Sequence, residues 1–161
     1  MRLPVFALAA VVATIAPIMA TPAMAGEARL EAHVALDWDR GWMKSSAGLG
    51  AGYDFDLANT VFIGPEVSID KLLASNATTI LSGGGRAGVV VPKLGRIFVA
   101  AGAASRPYTG GASDWYYGVG VQHVIETGAY LKAEYLHYTP SGGGATPTRN
   151  ALSVSFGATI G

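Results

Sequence analysis

From residue 29 to the end, the chain alternates apolar and polar or small positions with a period of two. Leu30, Ala32, Val34, Leu36 and Trp38 share one parity; Arg29, Glu31, His33, Ala35 and Asp37 share the other. A helix, with 3.6 residues per turn, would mix these sets, whereas a strand separates them onto opposite faces. The pattern returns near 46–56, with Leu49, Ala51, Tyr53 and Phe55 against Gly48, Gly50, Gly52 and Asp54. Near 60–70, Val61, Ile63, Val67 and Ile69 oppose Phe62, Gly64, Glu66, Ser68 and Asp70. Five more segments follow, near 78–91, 96–105, 114–125, 129–138 and 149–160. Asp56 to Asn59, Pro92 to Gly95 and Glu126 to Gly128 read as tight turns. Arg40 to Ser45, Lys71 to Ala77, Arg106 to Ala112 and Thr139 to Thr148 read as longer connections. Eight strands with short turns at one end and longer loops at the other predict an antiparallel up-and-down β-barrel. Residues 26–161 shared among eight strands and their connections allow about 17 residues each, and a tilted strand crosses a bilayer with roughly 9–11.

The first 25 residues break this pattern. Arg2 precedes an apolar run from Val5 to Met19, and Ala23-Met24-Ala25 forms an A-x-A site, so residues 1–25 read as a cleaved signal peptide and 26–161 as the barrel domain. No apolar run after residue 25 reaches the roughly 18 residues of a spanning helix.

Composition decides which barrel face meets water. Half of the residues are hydrophobic and only 14% are charged, where a soluble domain carries about 25%. A soluble lipocalin-like barrel would turn its apolar parity inward and show water the other face. Here that other face is largely Gly, Ser and Ala, which suits a lumen just wide enough for side chains and makes a poor aqueous strand surface. The few charges on it, Glu31, Glu66, Arg86, Lys132 and Glu134, are then a polar network enclosed in the lumen, where they must pair. Glu66, Arg86 and Glu134 fall at similar depth, with Glu31 and Lys132 lower. The aromatics fit membrane-interface girdles: Trp38, Trp42 and Trp115 toward the long-loop end, Tyr53, Phe55 and Phe156 toward the turn end, and Tyr117 and Tyr135 also counted to the girdles.

Net charge is zero, giving no basic footprint for nucleic acid, and the chain has no cysteine for disulfides or thiolate metal sites. Gly48-Leu49-Gly50-Ala51-Gly52 lacks the G-x-G-x-x-G spacing of a dinucleotide loop and reads as lumen-facing strand glycines. His33 reads as inward and isolated, His123 as outward near a turn. Asp37, Asp39 and Asp70 read as solvated carboxylates near the loop end rather than a cation site. No cofactor is expected.

The segments AGLGAGYDFDLANTVFIGPEVSID, GGRAGVVVP, YYGVGVQHVI and AYLKAEYLHYTP resemble the small outer-membrane β-barrel family of opacity-like surface antigens, related in architecture to OmpA/OmpX-type barrels. The resemblance spans nearly all of 27–160 and rests on diffuse motifs: G-x-G-Y-D, a G-P-E strand, an R-x-G strand and an A-E-Y strand. It implies a Gram-negative outer-membrane location, Glu66, Arg86 and Glu134 as lumen residues, outer-membrane lipid and lipopolysaccharide as surroundings, the assembly machinery as a partner during insertion, and a monomer. It also implies a terminal aromatic residue, from which Ile160-Gly161 departs. His137-Tyr138-Thr139 resembles the His-x-Ser element of PagL-type lipid A deacylases, but threonine replaces the serine, Pro140 follows it, and no acid occurs after Glu134. The expectation is a non-enzymatic structural or surface barrel with a filled lumen. A narrow solute pore is the alternative, followed by a deacylase and an adhesin.

Overall fold

In the computed structural model, residues 26–106, 113–126, 128–141 and 148–160 are described. The signal-peptide reading of 1–25 lies outside them. Eight strands run in chain order: β1 Gly26–Trp38, β2 Met43–Ala58, β3 Val61–Leu72, β4 Thr79–Val91, β5 Gly95–Ala104, β6 Asp114–Glu126, β7 Ala129–Pro140 and β8 Arg149–Ile160. Each pairs antiparallel with its neighbour, and β1 pairs with β8 from Ala28↔Ile160 to Trp38↔Asn150, closing the barrel. Closure gives every strand two hydrogen-bonded neighbours, which is what a lipid surrounding demands of backbone polar groups.

Several strands run further than the sequence pattern indicated. The largest difference is the first connection, expected as Arg40 to Ser45 and found as only residues 39–42, because Lys44 and Ser45 pair with Asp37 and Leu36. Asp39 tightens that turn: its Oδ1 accepts from the Gly41 N–H at 2.7 Å, and its own N–H donates to the Trp42 carbonyl at 3.2 Å. β3 extends to Leu72 and β7 to Pro140, shortening the two loops that follow. At the other end β2 and β3 meet over Asn59–Thr60, with a bulge between Asp56 and Ala58. A second bulge near Val124 and Glu126 breaks the parity of β6, leaving both Val124 and Ile125 exposed. At the β4–β5 turn, Gly95 takes φ +111°, a conformation open to glycine without steric cost.

The two faces sort as the alternation requires. Along β8, Leu152, Val154 and Phe156 are 49%, 51% and 59% exposed, while Ser153 and Ser155 between them are 9% and 1% exposed. Leu30, Val34, Leu49, Val99 and Val119 face outward in the same way. This continuous apolar wall is far larger than the patches a water-soluble monomer leaves open.

The lumen differs from the expectation of small and ionic residues alone. Phe62, Phe98, Tyr116 and Tyr130 are buried inside it. The glycines opposite are what admit them. A Cβ on Gly120 would lie 2.3 Å from Cζ of Phe98, and one on Gly157 would lie 2.3 Å from Cζ of Tyr130. Glycine is thus a packing partner of rings here, in addition to relieving a narrow lumen. Gly120→Ala is expected to destabilise the barrel by about 1–3 kcal/mol, as overpacking does, with part of the loss restored in Gly120→Ala/Phe98→Leu. Urea titration of the four species in lipid vesicles checks this; a full, uncompensated loss would contradict it.

Candidate functional site

The candidate site is the lumen, and its side chains lie in three layers. The lowest, toward the turn end, is built on Asp54, which is inaccessible to solvent. Arg86 donates to it twice, Nη2 to Oδ2 at 2.6 Å and Nε to Oδ1 at 3.1 Å. Arg96 Nη1 donates to Oδ2 at 2.8 Å, and Arg29 Nε lies 3.2 Å from the same oxygen. Arg86 also donates to Gln122 Oε1 at 2.9 Å, and its guanidinium lies 5.2 Å from the Phe62 ring centre and 4.7 Å from that of Phe98. Arg96 reaches on to Glu27. One carboxylate among three guanidiniums, roofed by rings, is a charge cluster held by bidentate bonding and cation–π contact together. Phe62, Tyr130, Gln122, Arg29, Arg86, Phe98, Asp54 and Ser155, each at most 2% exposed, come one from every strand, so every strand contributes a solvent-excluded side chain to the lumen.

Above this plug, Lys132 Nζ donates to Glu31 Oε1 at 2.5 Å and lies 3.2 Å from Glu134 Oε2, while Tyr130 Oη donates to Glu31 Oε2 at 2.9 Å. Across the lumen His33 Nε2 contacts Asp70 Oδ1; Ser68 Oγ donates to Asp70 Oδ2 at 2.5 Å and bonds Ser82 Oγ at 2.7 Å. Glu31, Lys132, Glu134, His33, Asp70, Ser68 and Ser82 line a small chamber of about 70 Å³ together with Glu66. The uppermost layer holds Asp37, which accepts from Arg149 Nη1 at 2.7 Å and from Ser46 Oγ at 2.6 Å; Arg149 stacks 3.7 Å from the Tyr138 ring centre. Arg106 Nε donates to Asp114 Oδ1 at 2.7 Å beside it.

The glycines of β2 explain how these pairs meet. His33 and Asp70 stand on β1 and β3, with Gly48 of β2 paired to both. A Cβ there would lie 2.3 Å from Asp70 Oδ1 and 2.7 Å from His33 Nε2. In the next rows Gly50 lies beside Glu31, and Gly52 separates Arg29 from Glu66. Gly64 of β3, paired with Arg86, would carry a Cβ 2.9 Å from Asp54 Oδ1. A glycine on the middle strand lets charged side chains two strands apart touch. The G-x-G-x-G run is thus a row of spacers on a strand.

All five charges read as a lumen network do lie inside, but they do not form one group. Glu31, Lys132 and Glu134 make a chain. Arg86 does not join Glu66 and Glu134: it reaches down past Gly64 to Asp54, and the nearest cation to Glu66 is Arg29 at 3.9 Å. Counting residues along each strand gave Cα depth and ignored the reach of arginine. Asp54, Arg29, Arg96 and Gln122, all of inward parity, complete the network beyond the five charges expected there. Two further expectations are corrected. His33 is paired to Asp70, and Asp37 and Asp70 are lumen partners of Arg149 and His33 rather than solvated carboxylates. Among the described residues no three His, Asp or Glu side chains stand together as a metal site would need.

On the outer wall, Trp38 ends β1 with its ring centre 6.1 Å from that of Tyr135, and Trp42 lies in the 39–42 turn. Trp115 and Tyr117 are exposed on β6. Tyr53 and Phe55 pack at 4.7 Å between centres on the lower part of β2, and Phe156 faces out from β8. Tyr135 stands midway along β7 rather than at its rim, and its Oη donates to Asn150 Oδ1 at 2.8 Å. His137 Nδ1 bonds the same oxygen at 2.8 Å, and its ring lies 5.3 Å from that of Tyr117. The partner of His137 is an amide, and no hydrogen bond links it to Thr139 among the described residues. His123, exposed, bonds the Leu94 carbonyl at 2.9 Å.

No protein-family model matches the chain. No curated protein matches it either. Solved structures do. Ail, the attachment invasion locus protein of Yersinia pestis, superposes with a TM-score of 0.58 at 14% identity, over 85% of this chain and 100% of that one. Neisserial surface protein A gives 0.56 at 12% identity, over 84% and 97%. The N-terminal β-barrel domain of Pseudomonas aeruginosa OprF gives 0.51 at 15% identity, over 83% and 99%. At these identities the likeness is one of fold. With its closed strand order, apolar exterior and ion-paired interior, the chain has the fold of the small eight-stranded outer-membrane β-barrels.

Proposed function

We propose that this protein is a non-enzymatic, monomeric barrel of the Gram-negative outer membrane, with a structural or surface role and a lumen closed by its own side chains. The observation that carries the reading is the plug around Asp54: the fully buried carboxylate accepts charge-assisted bonds from Arg86 and Arg96, pairs with Arg29 at 3.2 Å, and is packed about by buried Phe62, Phe98 and Gln122. Such a centre supports a static scaffold. Its neighbours in the membrane are lipid and lipopolysaccharide, and the assembly machinery acts on it during insertion.

The chamber above the plug favours a second reading, a narrow solute pore, which would require the plug to move. Planar-bilayer recording separates the two. The scaffold reading expects no step openings at any voltage from protein recovered from an outer-membrane fraction, with an unboiled band that migrates differently from the boiled one. Reproducible unitary steps from such protein would replace it with the pore.

A further inference from the structure

The chamber above the plug is short of positive charge. On its wall Asp37 is matched by Arg149 and Asp70 by His33, while Lys132 serves both Glu31, at 2.5 Å, and Glu134, at 3.2 Å. Among the described residues Glu66 has only Arg29, at 3.9 Å, and that guanidinium lies closer to Asp54, at 3.2 Å. In the plug three arginines face Asp54 and Glu27, so one positive charge is left to set against both Glu66 and Glu134. These two acids stand on opposite sides of the barrel, on β3 and β7. Both reach the chamber, near enough for their charges to repel. Unpartnered atoms on the same wall are an independent sign of an occupant. Glu134 is 6% exposed, and its Oε1 has no hydrogen-bond partner among the described residues; Ser155 is 1% exposed, and its Oγ has none either. Polar atoms buried so are costly unless something in the chamber meets them.

We infer that the chamber is a cation site, holding one Mg²⁺ ion that keeps most of its water between Glu134 Oε1 and the Glu66 carboxylate, with one of those waters on Ser155 Oγ. Charge, size and donor set select this occupant. An anion or a neutral solute would leave the two carboxylates uncompensated. At roughly 10–15 Å³ for each water-sized group, a chamber of about 70 Å³ takes about five, one ion and four waters. Two carboxylates and about four waters complete the octahedral shell that Mg²⁺ demands, and Mg²⁺ gives up its water reluctantly. Ca²⁺ takes about six to eight oxygen ligands and zinc about three or four from protein, whereas among the described residues no three His, Asp or Glu side chains stand together. The site lies on the long-connection side of the plug and needs only the lumen geometry, whether the barrel is a scaffold or a pore.

The test uses the full-length expressed protein in phosphatidylcholine nanodiscs, with Mn²⁺ as a paramagnetic stand-in for Mg²⁺ and empty nanodiscs as the blank. Folding is checked first by the boiled and unboiled bands. Electron paramagnetic resonance counts the bound Mn²⁺, and broadening of backbone amide signals locates it. Wild type is expected to bind one Mn²⁺ per barrel, displaced by Mg²⁺ but not by K⁺ at the same ionic strength, with the amides of Glu66, Glu134 and Ser155 broadened. Glu134→Gln and Glu66→Gln are each expected to lower the affinity by about tenfold or more, and either serves should the other not fold. Glu126→Gln, exposed near the β6–β7 turn, is expected to leave it unchanged. Folded wild type that binds no Mn²⁺ would mean that water or a shared proton meets the two carboxylates, and would overturn the inference. So would displacement by K⁺, unchanged affinity in a folded Gln variant of Glu134 or Glu66, or broadening confined to the surface acids Asp39 and Glu126.

Discussion

Replacing Asp54 by alanine is expected to cost the barrel about 3–5 kcal/mol, the cost of removing one partner from a buried ion cluster. The reason is arithmetic of charge. Asp54 is the one carboxylate that Arg29, Arg86 and Arg96 share at 2.6–3.2 Å, and it is fully buried. Without it, three guanidiniums face one another, with only Glu27 beside Arg96 and distant Glu31 and Glu66 for Arg29. Asp54→Asn keeps the size and one acceptor but not the charge, and should fall between. Arg86→Met in the Asp54→Ala background should restore part of the loss, because it removes the most buried of the stranded cations. Urea unfolding in lipid vesicles measures all four proteins. An Asp54→Ala barrel within about 0.5 kcal/mol of wild type would show that the plug is not organised around this residue.

The second large effect belongs to the outer wall. Val154 lies midway along β8, paired with Val34 and Ala133, and points out. Val154→Arg is expected to destabilise the barrel in a bilayer by about 2–4 kcal/mol, the depth-dependent cost of a cation on the lipid face at mid-membrane. The same change at Ile160, the end of β8, should cost about 0–1 kcal/mol, since an arginine there reaches the interface. Unfolding titrations in vesicles read both. Equal effects at the two positions would mean that depth in a hydrocarbon layer does not matter to this wall.

Much of the architecture was legible in the sequence because a period of two is unambiguous wherever small or ionic residues alternate with Leu, Val and Ile, as in β1 and β8. That parity placed Glu31, Glu66, Arg86, Lys132 and Glu134 inside. It could not rank them by partner. Side-chain reach decides that: Arg86 spans the gap that Gly64 leaves and meets Asp54 two strands away, while Glu66, one row higher, stays apart. Alternation also put Phe62, Phe98, Tyr116 and Tyr130 on the inward parity, where the structure buries them, but it gave no measure of how far their rings fill the lumen. A usable signal existed in the partner strand. Gly88 faces both phenylalanines, Gly120 faces Phe98, and Gly157 faces Tyr130. Reading glycine against the residue opposite, rather than along its own strand, would have located both the rings and the charge pairs across Gly48 and Gly52. The first loop was misjudged for a local reason: Lys44 and Ser45 look like turn residues, yet their backbone pairs with Asp37 and Leu36 while Asp39 closes the turn.

The central claim is that alternate residues of each strand face lipid and a closed interior. The chain lacks cysteine, so single cysteines can be placed without background. Spin labels at positions 152 to 156 of β8, in protein reconstituted into bilayers, would report collision with oxygen dissolved in the hydrocarbon. The account predicts high oxygen accessibility at Leu152, Val154 and Phe156 and low accessibility at Ser153 and Ser155. Uniform accessibility, or the opposite phase with the serines in contact with lipid, would contradict it.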